Sequence, residues 1–126
     1  MPLDIEEVHG RRIALCPPDG PLLRTAGDAT DLIGETRSAD ASTVVVPIER
    51  LDPAFFQLRT GVAGEFVQKF VNYRVTLVVL GDTTEIASKS KALHDFIYES
   101  NLRGSIWFLT SKRDLEERLA RDDAPH

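Results

Sequence analysis

The sequence predicts an α/β domain, with an N-terminal hairpin feeding a mixed, mostly parallel sheet of four or five strands covered by helices. Three observations predict it. Apolar runs at 43–48 (TVVVPI), 75–80 (VTLVVL) and 105–110 (SIWFLT) are rich in β-branched and aromatic residues. Segments with apolar residues at helical spacing stand between and after them, the alternation of a sheet with helices laid on it. His9-Gly10 separates two short strand-like segments, which reads as a tight hairpin. At 126 residues the chain is long enough for one such domain and short for two.

The elements follow in order. Residues 5–8 and 12–16 form the hairpin, with Gly10 supplying the positive φ of its turn. Pro17-Pro18-Asp19-Gly20-Pro21 breaks the pattern. Thr25 suits the cap of the next helix, and Asp28 meets its free amides and positive end. Ala29, Leu32 and Ile33 give that helix an apolar side, Gly34 weakens it, and Ser38-Ala39-Asp40 ends it. The uninterrupted valines of 43–48 favour a strand covered on both faces. Pro47 donates no ladder bond, so the strand is expected to fray or lie at an edge there. Leu51-Asp52-Pro53-Ala54-Phe55-Phe56 reads as a short turn that drops two phenylalanines into the core.

Thr60 is the expected cap of a helix through Asn72. Its Val62, Ala63, Phe66, Val67, Phe70 and Val71 form one broad apolar face. Glu65 and Lys69 lie four apart on the other side, in the favourable order. Residues 75–80 are the clearest buried strand, stopped by Gly81-Asp82. Residues 83–90 (TTEIASKS) read as a polar connection. Residues 92–101 form a helix with Leu93, Phe96 and Ile97 inward. Residues 105–110 are the last strand, and Ser111 caps a final helix carrying Leu115 and Leu119. Residues 1–121 read as one domain and 122–126 as a frayed tail. The later strands should be parallel, joined by right-handed crossovers.

Charge narrows the partners. Fifteen basic against 20 acidic residues give −5, which argues against a broad nucleic-acid face. No apolar run reaches membrane-spanning length, and no membrane partner is expected. Cys16 is the one cysteine, so an internal disulfide is impossible and a cytoplasmic setting is the simplest fit. It ends the run IALC and reads as a packed small hydrophobe, with no activating partner for a thiolate nearby. His9, His94 and His126 lack ligand-like spacing, so no metal is expected. GVAGEF lacks the spacing and context of a phosphate loop, no nucleophile elbow appears, and no cofactor is implied.

Ligand sites in open α/β sheets collect beyond the carboxyl ends of the strands. That edge is expected to carry Glu49, Arg50, Arg59 and Thr60, then Asp82, Ser88, Lys89, Ser90 and Lys91, then Ser111, Lys112 and Arg113. Lys112 and Arg113 stand in a first helical turn, where they read as surface charge, as a protein contact or as part of an anion seat. Thr60 reads first as a cap. A phosphate on its hydroxyl would face a positive helix end beside Arg59. Asp82 reads as a cap before it reads as an acid or base.

The run FFQLRTGVAGEFVQKFVNYRVTLVVLGD, from Phe55, and the later SKALHDFIYESN resemble the DUF4180 domain, a bacterial family of unknown function. The resemblance covers nearly the whole chain and is most specific in AGEFVQKFVNYR and DFIYESN. Phe55, Phe56, Gly61, Ala63, Gly64, Glu65, Gln68, Lys69, Phe70, Asn72, Tyr73, Gly81, Asp82, Ser90, Leu93, Asp95, Phe96, Glu99, Ser100 and Asn101 match its pattern. The chain departs from it in the loop PPDGP. The resemblance implies one domain over 1–121 and assigns no reaction. It draws attention to two polar rows, Glu65, Gln68, Lys69, Asn72 and Tyr73 on one helix and Asp95, Glu99, Ser100 and Asn101 on another. If both helices share a sheet face, the rows would meet in a network or a homodimer seam. The element order is also similar to the STAS fold of anti-sigma-factor antagonists, with Thr60 the nearest positional match to its phosphorylated hydroxyl. Layering of the STAS or the flavodoxin kind is expected.

The leading functional expectation is a non-enzymatic interaction or regulatory module, acting through the polar helix faces or the carboxyl edge. The alternative is a small-molecule enzyme or anionic-metabolite binder. It would use a carboxyl-edge cleft around Glu49, Arg50, Asp82 and Lys89.

Overall fold

A computed structural model describes residues 3–122. β1 (Asp4–Val8) and β2 (Arg11–Leu15) pair antiparallel, with Val8 opposite Arg11. His9 (φ 50°) and Gly10 (φ 78°) both take positive φ, as a two-residue turn of type I′ requires. α1 (Ala26–Ser38) opens with a capping box. Thr25 Oγ1 accepts from Asp28 N at 3.1 Å, and Asp28 Oδ2 accepts from Thr25 N at 3.1 Å and Arg24 N at 2.8 Å. These bonds, the one from Arg24 first, hold the Asp28 carboxyl below its ordinary pKa. Asp40, at φ 62°, turns the chain after the helix.

β3 (Thr43–Pro47) leads through three short 3-10 turns, Ile48–Arg50, Pro53–Phe56 and Leu58–Thr60, to α2 (Val62–Tyr73). Next come β4 (Thr76–Leu80), α3 (Thr84–Ser88), α4 (Lys91–Arg103), β5 (Ile106–Leu109) and α5 (Lys112–Asp122). The sheet has five strands in the order β1-β2-β3-β4-β5. The hairpin is antiparallel and every later pair parallel.

That order never reverses. Successive right-handed crossovers in one direction all fall on one face. Ala29, Leu32 and Ile33 of α1, Phe66 and Phe70 of α2, and Leu93 and Ile97 of α4 accordingly share one core with Ala14, Val44, Leu77 and Phe108. Among the described residues, the other face has α5 alone. Leu115 and Leu119 cover Ile13, Val45, Val78 and Trp107, and Arg118 lies 4.1 Å above the Trp107 ring. Flavodoxin-type layering needs a reversal in strand order and is not formed, so the sheet has no switch-point crevice.

Phe55 organises the centre of the larger core. Its ring is fully buried, 5.1 Å from Phe56 and 5.5 Å from Phe66 in edge-on contacts, and 6.3 Å from Phe108. One turn of loop is thereby bound to α2 and β5.

Several expectations need correction. Pro47 closes β3, but β3 is central, paired to β2 and β4; as the strand's last residue Pro47 sits where a missing donor costs little. Gly61, at φ 81°, holds the capping position of α2, not Thr60. The connection at 83–90 contains α3, because Ile86 and Ala87 pack on the core. Val71 stands half exposed, on the margin of its helix face. Asp122 belongs to α5, and residues 123–126, His126 among them, lie outside the described residues.

Candidate functional site

β3 and β4 end side by side, with Pro47 opposite Leu80 in register. The next residues, Ile48 and Gly81, press together. A Cβ on Gly81, which has φ 156°, would lie 2.4 Å from Ile48 Cγ2. Beyond this contact the chains part and leave a cleft of about 820 Å³. The 3-10 turns after β3 form one wall, with Leu51, Phe56 and Leu58 inward. α3 and the start of α4 form the other, with Ile86 and Leu93. Glu49 and Arg59 stand on the first rim, Asp82 and Lys89 on the second, and all four are exposed.

Local bonds fix both walls. Asp52 Oδ1 accepts from Ala54 N at 2.9 Å and caps the turn that carries Phe55 and Phe56. Thr60 Oγ1 lies 2.8 Å from the carbonyls of both Ala54 and Gln57 and accepts from Val62 N at 3.3 Å. It ties the first wall to the start of α2. Asp82 Oδ1 accepts from Thr84 N at 2.9 Å. The bonds from Thr84, side chain first, hold the Asp82 carboxyl below its ordinary pKa, so it is ionised at neutral pH and cannot donate a proton. Ser90 Oγ accepts from Leu93 N at 3.0 Å and caps α4.

The structure splits the expected edge cluster. Glu49, Arg59, Asp82 and Lys89 share the cleft, and Ser90 lines it. Arg50 turns away. It is 9% exposed, and its Nε and Nη1 donate to the carbonyls of Pro21 and Pro17 at 3.0 and 2.8 Å. Prolines bring carbonyls without amide donors, and this one guanidinium satisfies two of them. Arg50 lines instead a smaller cavity of about 260 Å³ with Cys16, Asp28 and Glu35. Lys112 and Arg113 lie on α5, away from the cleft. Lys112 Nζ reaches Glu6 Oε1 on β1 at 2.6 Å, and Arg113 pairs with Glu117 at 3.4 Å.

The polar rows do not meet either. Gln68 bonds Asn72 at 3.1 Å within α2, while Lys91–Asp95 and Glu99–Arg103 pair within α4. Glu65, Asn72 and Tyr73 are exposed. The backbone carbonyl of Tyr73 accepts from Arg37 of α1. Asn101 serves the sheet. Its side-chain amide accepts from Phe108 N at 2.7 Å and donates to Phe108 O at 3.2 Å, occupying the outer side of β5. Sequence reasoning missed Gln57, Leu58 and Ile86 as cleft residues. The one signal was the apolar pair Ile86-Ala87 within an otherwise polar stretch.

Cys16 is buried as expected. Burial pushes its thiol up to about 11, with the Arg50 charge opposing the rise. The folded state therefore favours the neutral thiol. That contribution is intact below the unfolded thiol's pKa and is lost as pH rises toward 11. At pH 8 a thiol reagent is expected to label Cys16 at the rate of unfolding; rapid stoichiometric labelling of the folded protein would contradict this.

The family described as Domain of unknown function (DUF4180) matches residues 8–119. The chain belongs to the DUF4180 family. Neither the curated proteins nor the solved structures contain a match. In this DUF4180 chain the signature segments supply framework more than rim: AGEFVQKFVNYR builds α2 and DFIYESN builds the second half of α4. Phe55, Phe66, Phe70 and Leu93 are core, Ser90 is a cap, and Asn101 closes an edge. Among the described residues, no three potential metal ligands gather, and no DUF4180 helix here is long and apolar enough to cross a membrane.

Proposed function

We propose that the chain is a non-catalytic binding module with a regulatory role, and that its ligand seat is the carboxyl-edge cleft. One observation carries the reading. The cleft has an apolar interior of Leu51, Phe56, Leu58, Ile86 and Leu93 beneath a rim bearing two carboxylates and two cations. A ligand that satisfies both is a small molecule with an apolar body and both charge signs, the chemistry of an apolar amino acid or dipeptide. Asp82 serves the backbone as an ionised cap, which favours holding a ligand over moving its protons.

Titration with leucyl-phenylalanine, followed by thermal shift and amide NMR, tests the reading. The dipeptide is expected to raise the melting temperature and move the amides of Gln57, Arg59, Asp82 and Ile86. N-acetylation of the dipeptide removes the partner of Glu49 and Asp82, and C-amidation removes that of Arg59 and Lys89. Each is expected to weaken binding. Ile86→Trp, which fills the cleft, should abolish it in a folded protein. No shift with any apolar zwitterion at millimolar concentration would refute the seat.

A further inference from the structure

We propose that the cavity at Arg50 is a second ligand seat, suited to a short linear molecule with a carboxylate at one end and an ammonium at the other, an ω-amino acid. The seat lies apart from the carboxyl-edge cleft and does not rest on the reading of that cleft.

Its deep end is cationic. Arg50 is 9% exposed, and its Nε and Nη1 donate to the carbonyls of Pro21 and Pro17. Nη2 makes no hydrogen bond, and among the described residues no carboxylate pairs with the guanidinium. Two carbonyls need two N–H donors, which a neutral amide would supply; they do not need a charge. A guanidinium taken out of water without a counter-ion is costly, and an anion drawn to it offsets that cost. Gly20 closes over one side of the group, since a Cβ there would lie 3.0 Å from Arg50 Cζ and 3.1 Å from Nη2. Nη2 is nevertheless not sealed in, and the open space that Arg50 lines is this cavity of about 260 Å³. Cys16 lines the same cavity and feels the Arg50 charge, which sets the guanidinium at the Cys16 end. Burial, opposed by that charge, keeps the Cys16 thiol neutral, so it offers a weak S–H donor and repels no anion.

The opposite end is acidic. Asp31 is exposed at the mouth and, among the described residues, has no hydrogen bond or ion pair. Asp28 lines the same side, kept ionised by its capping bonds, that from Arg24 first. Glu35 lines it too and has a partner of its own. Between the two ends the lining is apolar, with Leu3, Leu22, Leu23 and Leu32.

Size and charge select the occupant. The volume falls below the roughly 300–1,000 Å³ of pockets that take drug-sized ligands, so the seat suits a small metabolite. A phosphate or a dicarboxylate would meet Arg50 but bring further negative charge toward the acidic mouth. A simple amine would leave the guanidinium without a counter-ion. An α-amino acid carries both charges side by side and cannot span the leucines. An ω-amino acid meets all three zones. Its carboxylate accepts from Nη2, its methylenes lie along the leucines, and its ammonium faces Asp31.

The test titrates the full chain with δ-aminovalerate, read by thermal shift and amide NMR, with valerate and pentylamine as controls that each lack one charge. δ-Aminovalerate is expected to raise the melting temperature and move the amides of Cys16, Leu22 and Leu32, leaving Gln57 and Ile86 still. Pentylamine is expected to bind about ten-fold or more weaker, the scale of a lost charge-assisted hydrogen bond. Valerate should lose a smaller factor, because Asp31 is exposed. Asp31→Asn should erase the advantage of δ-aminovalerate over valerate. Leu22→Trp fills the cavity without removing the bonds of Arg50 to the proline loop, and should abolish binding. Asp31→Asn changes an exposed side chain and keeps the test valid if Leu22→Trp does not fold. Ile86→Trp, which fills the cleft, should leave the affinity unchanged. No shift at millimolar concentration, pentylamine binding as tightly as δ-aminovalerate, unchanged affinity in folded Leu22→Trp, or loss of binding in folded Ile86→Trp would each overturn the proposal.

Discussion

Phe55→Ala is expected to remove about 3–5 kcal/mol of stability, the cost of truncating a buried phenylalanine where the site cannot collapse. Collapse is hindered because the ring is fully buried and contacts Phe56, Phe66 and Phe108, which come from three different elements. No single helix shift can fill the space. The loss should also reach the cleft, since Phe56 sits on its wall one residue away. Urea denaturation followed by the fluorescence of Trp107, the one tryptophan, measures it. A loss below about 1 kcal/mol would mean that the surrounding side chains repack, as tolerant cores do. Leu at this position keeps much of the volume and should recover part of the loss.

Gly81→Ala is expected to cost about 3 kcal/mol, from backbone strain at positive φ together with overpacking. The backbone at φ 156° disfavours any side chain, and the new methyl would sit 2.4 Å from Ile48 Cγ2. Either Ile48 moves or the loop after β4 lifts, and both alter the cleft that Ile48 and Asp82 line. The double variant with Ile48→Gly, which removes both the Cγ2 at 2.4 Å and the Cβ at 2.9 Å, separates the two causes. It should recover the steric share and leave the backbone share, so the two substitutions should be strongly non-additive. Additive losses would show that the contact contributes nothing.

What was legible in the sequence was local. The His9-Gly10 turn, the Thr25–Asp28 capping box, the apolar strands and the Ser111 cap depend on residues within a few positions of one another. The candidate site was legible at Glu49, Arg59, Asp82 and Lys89, because each stands at a predicted strand end or in the loop behind it. Arg50 is their neighbour in sequence and differs only in direction. Its target carbonyls, on Pro17 and Pro21, lie about thirty residues upstream, and no periodicity reports such a bond. Lys112 has the same history: a first-turn lysine opposes the helix dipole, yet Glu6 of β1 holds it across the sheet. Asn101 reads as one more polar residue on a helix until the fold brings Phe108 beside it. Strand order was likewise beyond reach of pattern, because the same alternation of elements suits layerings with and without a reversal.

The unreversed order bears on how the chain is made. Each strand pairs with the one before it, so the sheet can grow in step with synthesis, every new crossover settling on a surface already laid down. The opposite face has no such schedule. Ile13, Val45, Val78 and Trp107 are set in place one strand at a time, and the leucines that shield them arrive at Leu115 and Leu119. A nascent chain halted before α5 carries that apolar row uncovered, which makes the stretch between Trp107 and Leu119 the interval when a chaperone would have most to hold.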